Sequence, residues 1–97
     1  MSATPPIRQE RSAQGGRFVM ERDGEVVGEL YYSLAGARAI ITHTEVVPRL
    51  REAGLARLLV DAAAQWARSE KVKLLPRCSY ARRVLAESPK YADVLAD

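Results

Sequence analysis

The chain has few of the residues and patterns that mark several common protein classes. It holds one cysteine and one histidine in 97 residues, which excludes an internal disulfide and gives too few ligands for a typical zinc site. We therefore expect no metal site and a reducing, cytoplasmic setting. No apolar run approaches the roughly 18 residues of a membrane-spanning helix. The N-terminal MSATPPIRQE also lacks the order of a signal peptide, so we expect no membrane association.

The charge balance is only mildly basic. The sequence has 15 Lys and Arg against 12 Asp and Glu, for a net charge of +3. The basic residues are dispersed rather than gathered into a stripe with aromatic residues, which does not favour nucleic-acid binding. A small anionic ligand would suit the same charge. At this length a bound ligand or a homodimer would add usefully to stability, although no apolar stripe specifies a dimer.

The pattern along the chain predicts one α+β domain. Residues 1–15 are rich in Pro and Gly and are interpreted as a flexible leader, and residues 16–97 as the domain. Three antiparallel strands follow in a meander: RFVMER, an Asp23–Gly24 turn typical of a type I′ hairpin, EVVGELYYSL, and RAIITHTEVV.

Helical periodicity begins near Gly54. Apolar residues recur at helical spacing from Leu55 to Ala67. KVKLLPRC then predicts a short strand parallel to RAIITHTEVV, because a strand, helix, strand order favours a right-handed crossover. SYARRVLAES predicts a second helix capped by Ser79, and PKYADVLA predicts a final helical turn or two from Pro89.

The start of the first helix is a candidate anion site. The segment REAGLA has the pattern RxxGxA and no obvious side-chain N-cap. A helix N-terminus carries unpaired N–H donors and partial positive charge, which favours a phosphate. Arg51 would add a cation, and Gly54 and Ala56 would keep the turn open. The alternative is an ordinary helix start with a solvated arginine.

Three motifs in order, ITHTEV, RxxGxA and PxCSYA, resemble the small single-domain members of the GNAT N-acetyltransferase superfamily over about residues 17–95. The resemblance implies a compact GNAT-like fold and acetyl-CoA as cofactor. It further implies that main-chain N–H groups of the segment Arg51, Glu52, Ala53, Gly54, Leu55 and Ala56 hold the pyrophosphate. The backbone of Val46 and Val47 would pair with the pantetheine arm. The sequence departs from the family at Glu52, where Gly is common, and at Ala53, where a polar residue is common.

Acetyl transfer needs a base for the amine and an acid for the departing thiolate. The resemblance suggests Glu45 as the base, with His43 on the same strand face, and Tyr80 as the acid. Cys78 would lie near the thioester and would be able to take the acetyl group itself. Each residue also has a structural alternative: a hydrogen-bonded histidine, a packed tyrosine, a small buried cysteine.

The resulting hypothesis is an acetyl-CoA-dependent N-acetyltransferase that acts on a primary amine of an unknown acceptor, either an amine compound or a protein. The chain lacks the helices that follow the first strand in longer superfamily members, so the acceptor groove should be open. The alternative is a non-catalytic module that binds CoA, acetyl-CoA or a protein partner.

Overall fold

The computed structural model of the chain describes residues 6–96, and the side chains of residues 51–53 lie outside that description. Five strands form one sheet in the order β1-β2-β3-β4-β5. Their bounds are β1 Ile7–Ser12, β2 Gly15–Arg22, β3 Glu25–Ala35, β4 Arg38–Val46 and β5 Lys73–Pro76. The helices are α1 Leu55–Glu70 and α2 Ser79–Glu87, with 3-10 helices at Pro48–Ala53 and Pro89–Val94.

Strands β1 to β4 pair antiparallel, and β5 pairs parallel to β4. The predicted hairpin is confirmed: Asp23 and Gly24 both have positive φ, as a type I′ turn requires. The predicted parallel pairing of β5 with β4, joined by α1, is also confirmed. The mixed five-stranded sheet with its helices has the predicted α+β class.

The expectation that residues 1–15 form an unstructured leader is wrong for residues 7–12. These residues form β1, which pairs with β2, so the antiparallel meander has four strands rather than three. The strand was missed because Ile7 is its one apolar residue. Its stability comes from main-chain pairing and from charge, since Glu10 lies opposite Arg17 and their side chains pair at 2.6 Å. Residues 1–5 of the expected leader lie outside the described part of the chain.

Helix α1 closes the core over the sheet. Its buried side chains recur at helical spacing and are Leu55, Leu59, Val60, Ala63, Ala64 and Ala67. They pack with sheet residues that include Leu30, Ile41 and Leu74, each 0% exposed. α2 adds Val84 and Leu85 to the same cluster.

The opposite face of strands β1 to β3 is lined by paired charges. Arg17 pairs with Glu10 and Glu29, and Arg8 pairs with Glu10 and Glu21. The hydrogen bond from Arg17, followed by that from Arg8, lowers the pKa of the Glu10 carboxyl. This face is therefore finished with ion pairs in place of a second apolar layer.

Candidate functional site

The candidate site begins where β4 and β5 separate. Their parallel pairing ends at Ile41 opposite Pro76. Beyond this point the Ile41 carbonyl accepts hydrogen bonds from two successive amides, Arg77 N–H at 2.9 Å and Cys78 N–H at 3.2 Å. Two donors on one carbonyl mark the place where the ladder stops. Residues 42–46 of β4 continue alongside β3, while the segment after β5 turns away into α2.

The gap between β4 and the segment that follows β5 is a cleft of about 330 Å³. Its lining comes from β4 and from the first turns of both helices: His43, Thr44, Glu45, Val46, Ala56 and Tyr80. Parallel strands that end beside a helix N-terminus commonly form ligand sites in α/β proteins. The cleft therefore brings together three of the four predicted catalytic residues and two of the predicted cofactor contacts.

A β-bulge in β4 sets the direction of these side chains. Tyr31 pairs with His43 but Tyr32 pairs with Ile41, which leaves Thr42 as the extra residue. A bulge bends its strand and re-aims the residues that follow it. After the bulge, Glu45 lies opposite Glu29, and the two acidic residues occupy neighbouring strands.

His43 and Glu45 share a face of β4, as predicted from alternation. His43 Nε2 lies 3.3 Å from Glu45 Oε1, and both side chains are more than half exposed, at 55% and 59%. The Tyr31 ring lies beside His43, with centroids 6.1 Å apart. The pair is thus accessible to solvent at the border of the cleft.

Cys78 is the N-cap residue of α2, so the predicted cap at Ser79 is wrong by one residue. The Cys78 carbonyl accepts the first helical bond from Arg82 N–H at 3.0 Å. Burial of the Cys78 thiol raises its pKa, but the polar groups beside the sulfur, first the Ala81 amide and then those of Thr44 and Tyr80, outweigh burial. The net effect lowers the pKa of Cys78 below its ordinary value. A half-buried thiol with this environment has nucleophilic character.

Tyr80 lies in the first turn of α2 and contributes to the cleft wall. The Arg83 guanidinium carbon is 6.0 Å from the centroid of its ring, within the range of a cation–π contact. The predicted placement of Tyr80 next to the end of β5 agrees with the structure. Its ring is packed at one side and faces the cleft at the other.

The start of α1 has no side-chain cap among the described residues, as predicted, but its glycine has a different role from the predicted one. Gly54 is the N-cap, and no described side chain caps the helix. The glycine is needed for its backbone, since φ is +76°, rather than to relieve crowding, because a Cβ there would meet nothing within 4 Å.

The remaining predicted contacts divide between main chain and side chain. Leu55 is buried in the core at 5% exposure, so it offers a ligand its backbone alone. The 3-10 helix Pro48–Ala53 carries Arg51, Glu52 and Ala53. The predicted roles of the Arg51 and Glu52 side chains fall outside the described part of the chain.

The predicted pairing of Val47 with an extended ligand is wrong for its amide. Val47 N–H donates to the Val27 carbonyl at 2.9 Å, and the Val47 carbonyl accepts from Leu50 N–H at 3.0 Å. Its polar groups therefore already serve the protein. Since successive residues in a strand direct their backbone groups to opposite edges, Thr44 and Val46 direct theirs away from β3, toward the cleft.

Thr44 is the site residue that sequence reasoning missed. From the sequence, Thr44 is only the residue between His43 and Glu45, on the opposite face of the strand. The structure places its hydroxyl oxygen out of contact with solvent, inside the lining of the cleft. Strict alternation from the buried Ile41 would put Thr44 on the face away from the helices, and the bulge at Thr42 reverses this, so no local pattern indicated its position.

A larger surface groove of about 630 Å³ lies between α1 and the 3-10 helix Pro89–Val94. Its charged groups already pair with one another: Asp61 with Lys90 at 3.7 Å, and Arg68 with Asp93 at 2.7 Å. Tyr91 Oη also donates to Asp61 at 3.1 Å. Because these groups stabilise the helix packing, we do not assign this groove as the site.

Residues 6–96 contain no group of three or more His, Cys, Asp or Glu side chains arranged to hold a metal ion. In the same part of the chain, neither helix has the length and apolar character needed to cross a bilayer.

Comparison with known proteins identifies a family for most of the chain. A family model described as GCN5-related N-acetyl-transferase matches residues 17–94. No curated protein matches the sequence at a significant level.

Solved structures share the fold. A GCN5-like protein from Staphylococcus aureus, studied by NMR, has a TM-score of 0.75 at 24% identity, covering 98% of this chain and 91% of its own. The ribosomal-protein-S18-alanine N-acetyltransferase from Escherichia coli has a TM-score of 0.67 at 15% identity, covering 78% of this chain and 52% of its own. AAC(6')-Iy, bound to a CoA-based bisubstrate analog, has a TM-score of 0.59 at 15% identity, covering 89% and 65%. The chain thus spans nearly all of the small relative and about half of the E. coli enzyme.

Proposed function

The chain belongs to the GCN5-related N-acetyltransferase family, and from this premise we propose that it binds acetyl-CoA at the β4–β5 cleft and transfers the acetyl group to a primary amine. The observation that carries the proposal is the cleft itself. It opens where the parallel ladder ends, and His43, Glu45 and Tyr80 border it together with an uncapped helix start. When bound, acetyl-CoA supplies the activated acetyl group.

Cofactor binding is assigned to main-chain groups. The amides from Arg51 to Ala56 would hold the pyrophosphate, helped by the partial positive charge of the α1 N-terminus. Open space at Gly54 supports this assignment. The backbone of Val46 would pair with the extended pantetheine arm, as in strand addition.

Three side chains are assigned to proton movement. Glu45, with His43 at 3.3 Å, would take the proton from the acceptor amine, directly or through water. Their exposure gives an incoming amine access to them. Tyr80 would return a proton to the departing sulfur from the opposite wall of the cleft.

Cys78 is assigned as a candidate acyl acceptor. Its lowered pKa increases the thiolate fraction, and the thiolate is the nucleophilic form. In this route the Cys78 sulfur forms a bond to the acetyl carbon while the original thioester bond breaks. The amine then takes the acetyl group from Cys78.

The acetyl-CoA site is tested by calorimetric titration of matched glycine variants. Gly54→Trp places a large side chain at the proposed pyrophosphate site. Gly36→Trp is the control, because it places the same side chain at the β3–β4 turn instead. Both glycines have positive φ, +76° and +63°, and both have open space around them. We expect Gly36→Trp to retain acetyl-CoA binding and Gly54→Trp to lose it. Equal affinity in both variants would contradict the assignment.

A second candidate is a module that binds acetyl-CoA without turnover, which the unusual Glu52 and Ala53 in the pyrophosphate motif favour. Both candidates predict that acetyl-CoA raises the melting temperature. Release of CoA thiol during incubation with a library of amines and peptides separates them. We expect release with at least one acceptor, and Cys78→Ala tests whether an acetylated protein intermediate requires that sulfur.

A further inference from the structure

A second, smaller cavity adjoins the β4–β5 cleft on the side of β3. It has a volume of about 230 Å³ and is lined by Val26, Val27, Gly28, Glu29, Glu45, Val47 and Pro48. Glu45 lines both this cavity and the cleft. The cavity is smaller than pockets that enclose a whole drug-sized ligand, but it has room for the end of one. A molecule seated in it would therefore lie against the proposed general base.

The two carboxylates of this cavity belong to directly opposed strand positions. Glu29 of β3 pairs in register with Glu45 of β4. Like charges at opposed positions destabilise a sheet, so this pair requires an explanation. Strand formation supplies none, because glutamate is depleted in strands. A cation bound between the two carboxylates would remove the repulsion.

Groups of the protein compensate Glu29 more fully than Glu45. The Arg17 guanidinium pairs with Glu29, and the Tyr31 hydroxyl donates to it at 2.7 Å. Both donors meet the same oxygen, Oε2, and the Glu29 side chain is only 22% exposed. The ion-pair partner that the described residues give Glu45 is His43, which is a cation only when protonated. Glu29 is therefore held in a fixed direction, while Glu45 is accessible to an incoming cation.

The ion pairs around the cavity leave an excess of negative charge. In the described part of the chain, the ion pairs of strands β1 to β4 with one another and with the segment after β4 join five glutamates to three arginines and one histidine. They are Glu10, Glu21, Glu25, Glu29 and Glu45, with Arg8, Arg17, Arg49 and His43. The rest of the cavity wall is apolar, and Val26 is 37% exposed. Carboxylates beside apolar walls suit a hydrocarbon stem that ends in an ammonium group.

We propose that this cavity binds an aliphatic primary amine in its ammonium form, that this amine is the acetyl acceptor, and that Glu29 determines the preference for it. The role of the amine as acceptor rests on the proposed function, whereas its binding does not. Binding itself makes and breaks no covalent bond. In the proposed reaction the ammonium gives one proton to Glu45, and its nitrogen bonds to the acetyl carbon as the bond from that carbon to sulfur breaks.

The experiment is a titration of the full chain with n-pentylammonium, without acetyl-CoA, in which backbone amide chemical shifts are monitored by NMR. The neutral n-pentanol has the same length, and ethylammonium has the same charge on a shorter stem. We expect saturable shifts at residues 26–29 and 45–47. Binding of n-pentanol should be about tenfold weaker, because a hydrogen bond between charged groups is lost. Binding of ethylammonium should also be about tenfold weaker or more, because three CH₂ groups of apolar contact are lost.

Two matched variants test the role of Glu29. Glu29→Gln should weaken n-pentylammonium binding about tenfold, since a charged acceptor becomes a neutral one. Glu21→Gln also removes a carboxylate from an arginine pair, here with Arg8, but Glu21 does not line the cavity. It should bind n-pentylammonium as the wild type does.

Three outcomes would overturn the inference. They are the absence of saturable shifts around the cavity, equal affinity for n-pentanol and n-pentylammonium, and equal loss of affinity in Glu21→Gln and Glu29→Gln. The last would show that the overall charge of the surface, not the cavity, attracts the cation. The two wild-type comparisons retain their force if Glu29→Gln does not fold.

The titration contains no acetyl-CoA, so the ammonium site and the proposed function fail separately. A protein that binds n-pentylammonium in this cavity but never releases CoA thiol would retain the ammonium site and lose the acetyltransferase assignment. A protein that acetylates uncharged arylamines as readily as alkylamines, and binds n-pentylammonium no better than n-pentanol, would do the reverse.

Discussion

The two halves of β4 have the same strand conformation but different neighbours. Residues 38–41 lie between β3 and β5 and pair with both, whereas residues 43–46, after the bulge at Thr42, pair with β3 and line the cleft. In the first half Ala39 and Ile41 are fully buried, and in the second half His43 and Glu45 are exposed. The strand therefore buries its side chains in the core where the ladder is complete and exposes polar side chains beside the cleft where the ladder opens.

The largest expected effect is on activity in the open half. Glu45→Gln should lower kcat by about 10²- to 10⁴-fold, the usual contribution of a general base. Its urea unfolding should match the wild type, because the side chain is exposed. CoA thiol release under saturating acetyl-CoA measures the rate. The matched control is Glu25→Gln, an exposed carboxylate at the start of β3 that pairs with Arg49. Full activity in Glu45→Gln would show that Glu45 is not the general base.

The next effect is on stability in the paired half. Ile41→Ala should lower the free energy of unfolding by about 2–5 kcal/mol, because it leaves a cavity in a fully buried position. Ile40→Ala, on the other face and partly exposed, should cost less. Urea denaturation of both variants gives the comparison. If Ile40→Ala destabilised the protein as much as Ile41→Ala, the assignment of the core face would be incorrect.

The smallest effect concerns Cys78, at the junction of the two halves. The pKa of Cys78 is lowered in the folded protein. At a pH between this lowered pKa and the ordinary pKa of a cysteine, the thiolate fraction is therefore larger in the folded than in the unfolded chain. Within that pH interval, the rate of Cys78 alkylation by iodoacetamide, corrected for the accessibility of the thiol, should be higher in the folded protein than in the urea-unfolded one. At higher pH, where both forms are ionised, the advantage should disappear. A slower folded-state reaction across the whole interval would show that burial dominates.

The sequence predicts the parts of this fold that depend on periodicity. Alternation in β2 to β4, the Asp23–Gly24 turn and the apolar stripe of α1 all appear where their patterns indicate. β1 escaped prediction because a polar edge strand held by Arg–Glu pairs leaves no apolar alternation to detect. The Thr42 bulge was equally hidden, since a register shift depends on the partner strand.

The site divides in the same way. The shared face of His43 and Glu45 follows from a spacing of two, and the meeting of Glu45 with Tyr80 follows from the common edge at which parallel strands end. The direction of the Val47 amide and the burial of the Thr44 hydroxyl depend on tertiary contacts with Val27 and α2. No local pattern encodes those contacts.

The most direct test of the central claim is to titrate the protein with acetyl-CoA and to monitor its backbone amide chemical shifts by NMR. The account predicts that the largest changes occur at Thr44 and Val46, at Gly54 to Ala56 and at Tyr80, along the cleft where β4 and β5 separate. Changes concentrated instead at Asp61, Gln65 and Lys90, in the groove beside α1, would contradict it.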